Sequence, residues 1–319
     1  MIKKSDQEQI QNYLFDASNT KGFCDSVFFP ENEADVKEIF KESSGSKIPV
    51  TISGNRTGLT GAAVPFGGNV VSTEKLNKIL ELNEGFVIVE PGVILSDLQK
   101  FLNEKELFYP PDPTETSCFI GGTVATNASG ARTFKYGATR NFIHSLEIIL
   151  ANGNKLNLER GKVFAKNNLL ELTDESGLKY NFRIPDIEMP STKNAAGYFC
   201  KPNMDAIDLF VGSEGTLGTI TKVGLKVLKA SETIISSVVF FKTEEDALEF
   251  VNEARINSFA SKENSDENSV NALALEFFDE NALRFLQNHF NKIPSSAKAA
   301  IWFEQDCKIN LQENILEKC

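Results

Sequence analysis

A loop rich in glycine, serine and threonine at residues 53–65 carries the residue types that bind anions through the backbone. It follows the apolar, β-branched run Ile48-Pro49-Val50-Thr51-Ile52, which predicts a short strand. Because glycine accepts positive φ and admits a ligand close to the backbone, several N–H groups of such a loop can converge on one point. The sequence therefore predicts a phosphate or pyrophosphate site here, with an ordinary glycine-rich turn as the alternative.

This loop differs from two common nucleotide-binding motifs. The chain has no Gly-x-x-x-x-Gly-Lys-Ser/Thr sequence, and no Gly-x-Gly-x-x-Gly sequence opens a helix after the predicted strand. A P-loop NTPase and a Rossmann-type NAD enzyme are therefore not supported, and any phosphate belongs to another class of cofactor.

Two further segments of small residues strengthen the functional interpretation. Residues 110–130 carry no charged side chain between Thr116 and Gly130, which predicts that this stretch is buried against something flat or extended. Residues 209–220 form a small-residue turn that leads into the alternating run 219–228, a predicted strand. Three such loops spread along the chain suit a long, multi-part ligand better than a single phosphate.

In this order and spacing, the three segments resemble the FAD-binding domain of the vanillyl-alcohol oxidase (PCMH-type) superfamily. The pattern is similar to its glycolate oxidase / D-lactate dehydrogenase branch, which also includes D-2-hydroxyglutarate dehydrogenase and alkyldihydroxyacetonephosphate synthase. The resemblance covers roughly residues 25–228 and rests on Pro110-Pro111-Asp112-Pro113, Ile120-Gly121-Gly122, Thr126-Asn127-Ala128-Ser129-Gly130, Gly212-Ser213-Glu214-Gly215-Thr216-Leu217-Gly218, Tyr136-Gly137-Ala138-Thr139-Arg140 and Val89-Glu90-Pro91-Gly92-Val93.

The resemblance implies an α+β fold, with a two-subdomain FAD-binding domain at residues 1–230 and the start of an α/β substrate cap domain at 231–319. It implies FAD contacts at Ile52, Ser53, Gly54, Asn55, Arg56, Thr57, Gly58, Asp112, Thr116, Ser117, Gly121, Gly122, Thr126, Asn127, Ala128, Ser129, Glu214, Gly218 and Ile220. Asn55-Arg56 replaces a small pair of the family pattern. The Arg56 side chain either contacts a phosphate or points to solvent.

The activity implied by the resemblance is FAD-dependent oxidation of a 2-hydroxy acid of the D-lactate, glycolate or D-2-hydroxyglutarate type, by hydride transfer to flavin N5. The cofactor is expected to be non-covalent, since no histidine lies in the residue 53–65 loop. Family members continue past residue 319 with a segment that carries histidines, and no catalytic base is identified in this chain. A non-catalytic FAD-binding subunit, or a truncated module of a larger oxidase, is therefore the alternative. A structural α/β protein without a ligand is a third possibility.

Histidine and cysteine usage gives no sign of a metal site. His144 lies in a strand pattern and His289 in a helix pattern, so packed or solvated side chains are favoured over ligands. The five cysteines are widely spaced, without a Cys-x-x-Cys pair, which favours neither zinc nor a disulfide framework.

Composition and charge indicate which classes of partner and which cellular compartment to expect. The chain has 319 residues and a formal net charge of −11, which disfavours nucleic acid and anionic membrane surfaces. It lacks an apolar run long enough to span a membrane, and its N-terminus lacks a signal-peptide core. We expect a cytoplasmic protein whose partners are a small 2-hydroxy acid, an unknown electron acceptor and a partner subunit.

Hydrophobic periodicity predicts helices at residues 5–16, 33–41, 96–102 (with Ser96 as N-cap), 244–256 and 280–290. It predicts strands at 26–29, 48–52, 86–90, 142–150, 155–158, 219–228, 234–241, 272–277 and 299–304, the fourth and fifth forming a hairpin. The polar stretch 258–271 predicts a mobile loop, and 311–319 the start of a helix. Residues 193–198 resemble a family turn near the flavin, with a plain solvent loop as the alternative.

Overall fold

The computed structural model describes residues 1–195, 197–264, 269–290 and 292–308. The chain forms two compact units. The first consists of Met1–Tyr109, Pro113–Ala128 and Ala138–Leu228, and the second of Pro110–Asp112, Ser129–Gly137 and the chain from Lys229 onward. The functional assignment of residues 1–230 and 231–319 to a cofactor domain and a cap domain remains a prediction.

The chain combines helices with largely antiparallel sheets, which confirms the expected α+β fold. The strands are β1 (Ile2–Lys4), β2 (Ser26–Phe29), β3 (Val50–Ser53), β4 (Asn69–Ser72), β5 (Ile79–Asn83), β6 (Phe86–Val89), β7 (Leu107–Phe108), β8 (Ile143–Ile149), β9 (Lys155–Glu159), β10 (Leu169–Thr173), β11 (Lys179–Arg183), β12 (Thr219–Lys226), β13 (Leu228–Lys229), β14 (Thr233–Phe241), β15 (Ala272–Phe278) and β16 (Ala299–Cys307). The α-helices are α1 (Gln7–Ile10), α2 (Glu33–Gly45), α3 (Leu95–Asn103), α4 (Ile120–Ala125), α5 (Thr133–Tyr136), α6 (Ile207–Phe210), α7 (Glu244–Asn264) and α8 (Glu280–Gln287).

The first sheet has the strand order β1-β2-β4-β3 and carries the residue 53–65 loop at the end of β3. Strands β2 and β3 are each parallel to β4, which lies between them. Helix α2 connects β2 to β3, and its N-cap Asn32 accepts a hydrogen bond from the Asp35 N–H. The predicted strand 48–52 begins two residues later than expected, because Pro49 has no N–H to donate to a ladder.

The second sheet of the first unit has the order β5-β6-β12-β8-β9, with antiparallel pairing throughout. Strand β12 is central and almost entirely buried. The predicted hairpin of β8 and β9 is confirmed. The predicted cap at Ser96 is wrong, since α3 begins at Leu95 and its first N–H groups donate to the carbonyls of Cys118 and Thr116.

The second unit contains a three-stranded antiparallel sheet of order β14-β16-β15. Helix α7 packs on it through Ala247, and Ile301 and Phe303 of β16 belong to the same core. The expected loop at 258–271 is wrong for residues 258–264, which continue α7. Ser258 is buried there, donates to the Ala254 carbonyl and accepts from the Ala272 N–H. Residues 265–268 and the predicted helix start at 311–319 lie outside the described residues.

Two other predicted helices differ in length. The expected helix 5–16 is shorter, since α1 ends at Ile10 and a 3₁₀ turn follows over Gln11–Tyr13. Helix α8 ends at Gln287 rather than at residue 290. Among the described helices, none combines the length and apolar character needed to cross a bilayer.

Candidate cofactor-binding site

A cavity in the first unit brings the three small-residue segments together. It encloses about 1170 Å³ of space not filled by protein atoms, part of it open to solvent. Most of the predicted cofactor contacts line it, namely Ile52, Gly54, Asn55, Arg56, Thr57, Gly58, Gly121, Gly122, Thr126, Ala128, Glu214, Gly218 and Ile220.

The loop after β3 presents unpaired backbone donors. Within the described ranges, no protein acceptor is found for the N–H groups of residues 54–58. Arg56 has φ +58°, in the left-handed region, so the loop changes backbone handedness in its middle. Backbone that alternates in this way turns successive N–H groups toward one point, which is the geometry of an anion-binding nest.

The Arg56 side chain lines the cavity and also packs on the N-terminal segment. Its guanidinium lies 4.6 Å from the ring centroid of Tyr13 and donates to the Gly54 carbonyl at 3.2 Å. Tyr13 in turn donates to the Glu74 carboxylate at 2.7 Å. Burial and this carboxylate raise the pKa of Tyr13 to about 12, so the ring stays neutral at physiological pH. The guanidinium therefore braces the loop against the N-terminal segment.

Two glycines of the cavity wall face open space. A Cβ atom added to Gly58 or to Gly122 would meet no protein atom within 4 Å. Gly121 differs, because its added Cβ would lie 2.5 Å from the Pro91 Cβ. The Gly121 N–H also donates to the Pro91 carbonyl at 2.7 Å. Gly121 is thus required by packing, whereas Gly58 and Gly122 leave room for a ligand.

The second segment is fastened to the first by a side chain. Asn55 Nδ2 donates to the Ser117 carbonyl at 2.7 Å, which holds residues 113–122 beside the loop. Helix α4 then runs along the cavity with few bulky side chains. The predicted contacts Thr116 and Ser117 do not line the cavity.

Two more predicted contacts turn away from the cavity. Ser53 is fully buried and its hydroxyl donates to the Gly54 carbonyl. Since successive side chains of a strand alternate, Ile52 faces the cavity and Ser53 faces the other side. Asn127 is also buried, with φ +48°, and its Oδ1 accepts from the Arg140 N–H at 3.0 Å.

The predicted contacts Asp112 and Ser129 belong to the second unit. There, Arg132 Nε lies 3.4 Å from Asp112 and 3.1 Å from Glu304. Burial raises the pKa of Asp112, and the Arg132 charge opposes that shift. The Gly130 backbone passes so close to Asp112 that an added Cβ would lie 2.0 Å from the Asp112 carbonyl oxygen.

Arg140 organises the third segment, the turn before β12. Its guanidinium donates to the carbonyls of Asp208 and Val211, the latter at 2.6 Å. Arg160 supports the same group through a 2.8 Å contact with Asp208. Two hydrogen bonds hold this turn against α4: the Gly212 and Glu214 N–H groups donate to the carbonyls of Val124 and Ala125. Fixed in this way, Glu214 lines the cavity in the left-handed region, with φ +51°.

Several lining residues were missed by sequence reasoning: Asp16, Thr60, Ala62, Ala63, Thr73, Pro91, Pro113, Glu115, Cys118, Phe119, Thr123, Ala125, Ser213 and Gly215. Those between 113 and 125 lay within a segment already singled out. No motif in the sequence around Asp16 indicates a binding site. Its place in the cavity wall arises only on folding, when the N-terminal segment packs against the residue 53–65 loop. Burial, with a smaller effect of Glu115, raises the pKa of the Cys118 thiol to about 11.

Three other residues singled out in the sequence contact neighbouring side chains. His144 stacks on Phe86, with ring centroids 4.2 Å apart, and His289 lies beside Phe285. Tyr198 of the predicted 193–198 turn shares a 2.5 Å hydrogen bond with Thr216. Ala196 lies outside the described residues. In the described part of the chain, no group of three or more His, Cys, Asp or Glu residues is arranged to hold a metal ion.

A mixed sheet whose β2, β4 and β3 are parallel carries a loop of unpaired N–H groups beside a cavity with a small-residue wall. This arrangement is typical of a domain that binds a nucleotide cofactor. Residues 24–159 match the family model described as an FAD binding domain. Residues 24–159 therefore form an FAD binding domain, and FAD is the cofactor that the match assigns.

Curated relatives are named for the oxidation of hydroxy acids. The chain is 36% identical to a D-lactate dehydrogenase of Anaerostipes hadrus, over 67% of this chain and 38% of that protein. It is 30% identical to the glycolate oxidase subunit GlcD of Bacillus subtilis (strain 168), over 96% of this chain and 57% of that protein. It is 29% identical to a D-2-hydroxyglutarate dehydrogenase of Stutzerimonas stutzeri (strain A1501), over 88% and 50% respectively.

A solved alkyldihydroxyacetonephosphate synthase shares the fold. It superposes with a TM-score of 0.68 at 16% identity and covers 98% of this chain and 54% of its own. The chain spans about half the length of the relatives it matches, between 38% and 57% for the three curated proteins.

The residues present fit FAD. The diphosphate of the cofactor needs converging donors, and the N–H groups of residues 54–58 have no protein acceptor in the described chain. The flat flavin ring and its chain need a wall without bulk, and a Cβ at Gly122 would project into free space. Both requirements are met by the same cavity.

Proposed function

We propose that the cavity binds FAD through its diphosphate at the residue 54–58 loop. The observation that carries this proposal is the row of unpaired N–H groups at the end of β3. Converging backbone donors attract an anion without a positive side chain, which suits a loop whose arginine is engaged with Tyr13.

The small-residue segment 116–130 is proposed to lie along the flavin ring and the ribityl chain. Gly122 and Ala128 leave the space that a planar ring needs, and Phe119 lines the same cavity. The attachment is proposed to be non-covalent. Because burial raises the pKa of Cys118 to about 11, its thiol stays protonated near neutral pH and is a poor nucleophile.

The proposed reaction is oxidation of a small 2-hydroxy acid, supported by the names of the relatives. When bound, FAD supplies a hydride acceptor for the α-hydrogen of the substrate. The residues of this chain hold the cofactor in place, since Asn55 and Arg140 fix two walls of the cavity. A base must also take the hydroxyl proton, and it must reach that proton within hydrogen-bonding distance.

A second candidate is an FAD-binding module that does not turn over substrate. The observation that favours it is the composition of the cavity wall: among the described residues that line it, none is a histidine. Glu115 lines the cavity, but hydrogen bonds from Ser117 lower the pKa of its carboxyl, which does not suit a base near neutral pH.

The first experiment titrates apo-protein with FAD and follows flavin fluorescence and the visible absorption bands. Saturable quenching with one site per chain supports the cofactor proposal, and its absence overturns it. The second mixes the FAD-loaded protein anaerobically with D-lactate, glycolate or D-2-hydroxyglutarate and follows flavin bleaching. Bleaching within seconds supports the dehydrogenase, whereas an unchanged spectrum with all three acids favours the binding module.

A further inference from the structure

Asp16 is a buried carboxylate with an unsatisfied oxygen in the wall of the cavity. Its side chain is 4% exposed. Oδ1 accepts a hydrogen bond from the Ser18 N–H at 2.9 Å. Oδ2 is buried and has no hydrogen-bond donor in the described part of the protein. Buried carboxylate oxygens are nearly always paired, so a site that leaves one unpaired calls for an explanation.

The position of Asp16 is fixed directly beside the anion-binding loop. The N–H of the next residue, Ala17, donates to the Arg56 carbonyl at 3.0 Å. Three residues earlier, the Tyr13 ring packs under the Arg56 guanidinium. Asp16 thus lies between two contacts that fasten the N-terminal segment to residue 56, the centre of the loop.

The negative charge of Asp16 limits what it can bind. A carboxylate repels phosphate, so its partner must be a hydrogen-bond donor that lies next to the diphosphate. On either side of its diphosphate FAD carries sugar hydroxyls, those of the adenosine ribose and those of the ribityl chain. Carboxylates are suited to such hydroxyls, as in dinucleotide-binding folds where an acidic residue binds the ribose.

We propose that Asp16 Oδ2 accepts a hydrogen bond from a sugar hydroxyl of the bound cofactor. The inference rests on the proposed FAD binding and adds a recognition residue outside residues 24–159, the part matched by the family model. An unsatisfied buried acceptor destabilises the protein that carries it, and the ligand relieves this cost. Asp16 therefore weakens the apo-protein and strengthens its complex.

These opposite effects define the test. Asp16→Asn keeps an oxygen for the Ser18 N–H and replaces Oδ2 with an NH₂ group, which cannot accept. Asp25→Asn is the matched control, since Asp25 belongs to the same unit and is exposed away from the cavity. The measurements are the dissociation constant of FAD from flavin fluorescence and the melting temperature of each apo-protein.

Asp16→Asn is expected to weaken FAD binding about tenfold or more, because the acceptor is lost. Its apo-protein is expected to melt at or above the control temperature, because a neutral amide is less costly to bury than a carboxylate. If the wild type binds FAD and the variant binds it equally well, the inference about Asp16 is wrong and the proposed function still stands. An apo-variant that melts well below Asp25→Asn also overturns it, because Asp16 is then a structural residue. A wild type that does not bind FAD overturns the proposed function as well.

Two fragments of the cofactor identify the hydroxyl. ADP carries the ribose without the ribityl chain, and FMN carries the ribityl chain without the ribose. A loss of affinity in Asp16→Asn for ADP but not FMN supports the ribose, and the reverse supports the ribityl chain. If both fragments bind the wild type and the variant equally, the hydroxyl contact is wrong.

Discussion

Glycines of two kinds line the same cavity, and they differ in what surrounds their Cα atoms. Gly58 and Gly122 have no protein atom within 4 Å of the place where a Cβ would stand. At Gly218, φ is +144° and an added Cβ would lie 2.7 Å from the Ile149 carbonyl oxygen. Gly121 is similarly confined, by Pro91. In the sequence all four are glycines of small-residue motifs. Packing of the fold requires glycine at 121 and 218, whereas Gly58 and Gly122 are proposed to make room for the ligand.

This difference teaches how to separate folding from binding within one motif. A side chain at a confined glycine must displace backbone, so it acts on the apo-protein. A side chain at an open glycine meets no protein atom nearby, so its expected effect is on the affinity for FAD.

Gly218→Ala is expected to destabilise the first unit by about 2–4 kcal/mol, because it combines a strained φ with a backbone clash. Urea unfolding of the apo-protein, followed by circular dichroism, measures this loss. Gly177→Ala provides a control, since Gly177 has φ +86° but no neighbour within 4 Å of the added Cβ. Equal losses at the two positions would show that strain alone, rather than the clash with Ile149, decides the cost.

Gly58→Val is expected to weaken FAD binding about a hundredfold, since the isopropyl group fills the approach to the nest. The free energy of unfolding of the apo-protein should change by no more than about 0.5 kcal/mol. Fluorescence titration and urea unfolding give the two values. If this variant binds FAD as fully as the wild type, the diphosphate does not bind at residues 54–58.

Gly122→Leu is expected to weaken FAD binding about tenfold and to leave the apo-protein at least as stable as the wild type. Leucine favours a helix over glycine by roughly 0.5–1 kcal/mol, and Gly122 lies within α4 with open space beside it. The near-ultraviolet and visible spectrum of the bound flavin should shift as the ring is displaced. If neither affinity nor spectrum changes, the 116–130 segment is only a packed connection.

The reactivity of the Cys118 thiol, which lines the same cavity, is expected to show the smallest effect of FAD. Its pKa of about 11 leaves far less than a hundredth of the thiol ionised at pH 8, since each pH unit below the pKa lowers the thiolate tenfold. Alkylation by iodoacetamide should therefore be slow at pH 8, rise about tenfold per unit toward pH 11, and slow further when FAD is bound. Mass spectrometry at Cys118 measures the rate. A rate at pH 8 equal to that of the urea-unfolded chain contradicts the burial of this thiol.

The sequence predicted those helices and strands whose formation depends on neighbouring residues. Strand β2, helix α2 and the hairpin of β8 and β9 were predicted because their apolar periodicity, caps and turn are contiguous in sequence. The insertion of β4 between β2 and β3 was not predicted, because strand order depends on pairing between distant segments. The stretch 258–264 has a polar sequence and still continues a helix, which shows tertiary packing overriding composition.

The candidate site was predicted where the resemblance supplied a motif, and less well where side-chain direction mattered. Ser53 stands in the motif, yet the alternation of a strand turns it away from the cavity that Ile52 lines. The Asn127 side chain is used to hold Arg140. Asp16 was missed because its contact with the loop spans about forty residues of sequence, and the Ala17–Arg56 hydrogen bond exists only in the folded chain.

The place of β12 in the second sheet has a practical consequence for dissecting this protein. The segment 24–159 that carries the family match ends long before β12, which begins at Thr219. Yet β12 is the strand that joins β6 to β8. A fragment cut at the limits of the match would hold two half-sheets with open edges, prone to pair with other molecules. Such a fragment should precipitate on its own, and a separate peptide containing β12 should rescue it, as the missing half does in fragment complementation.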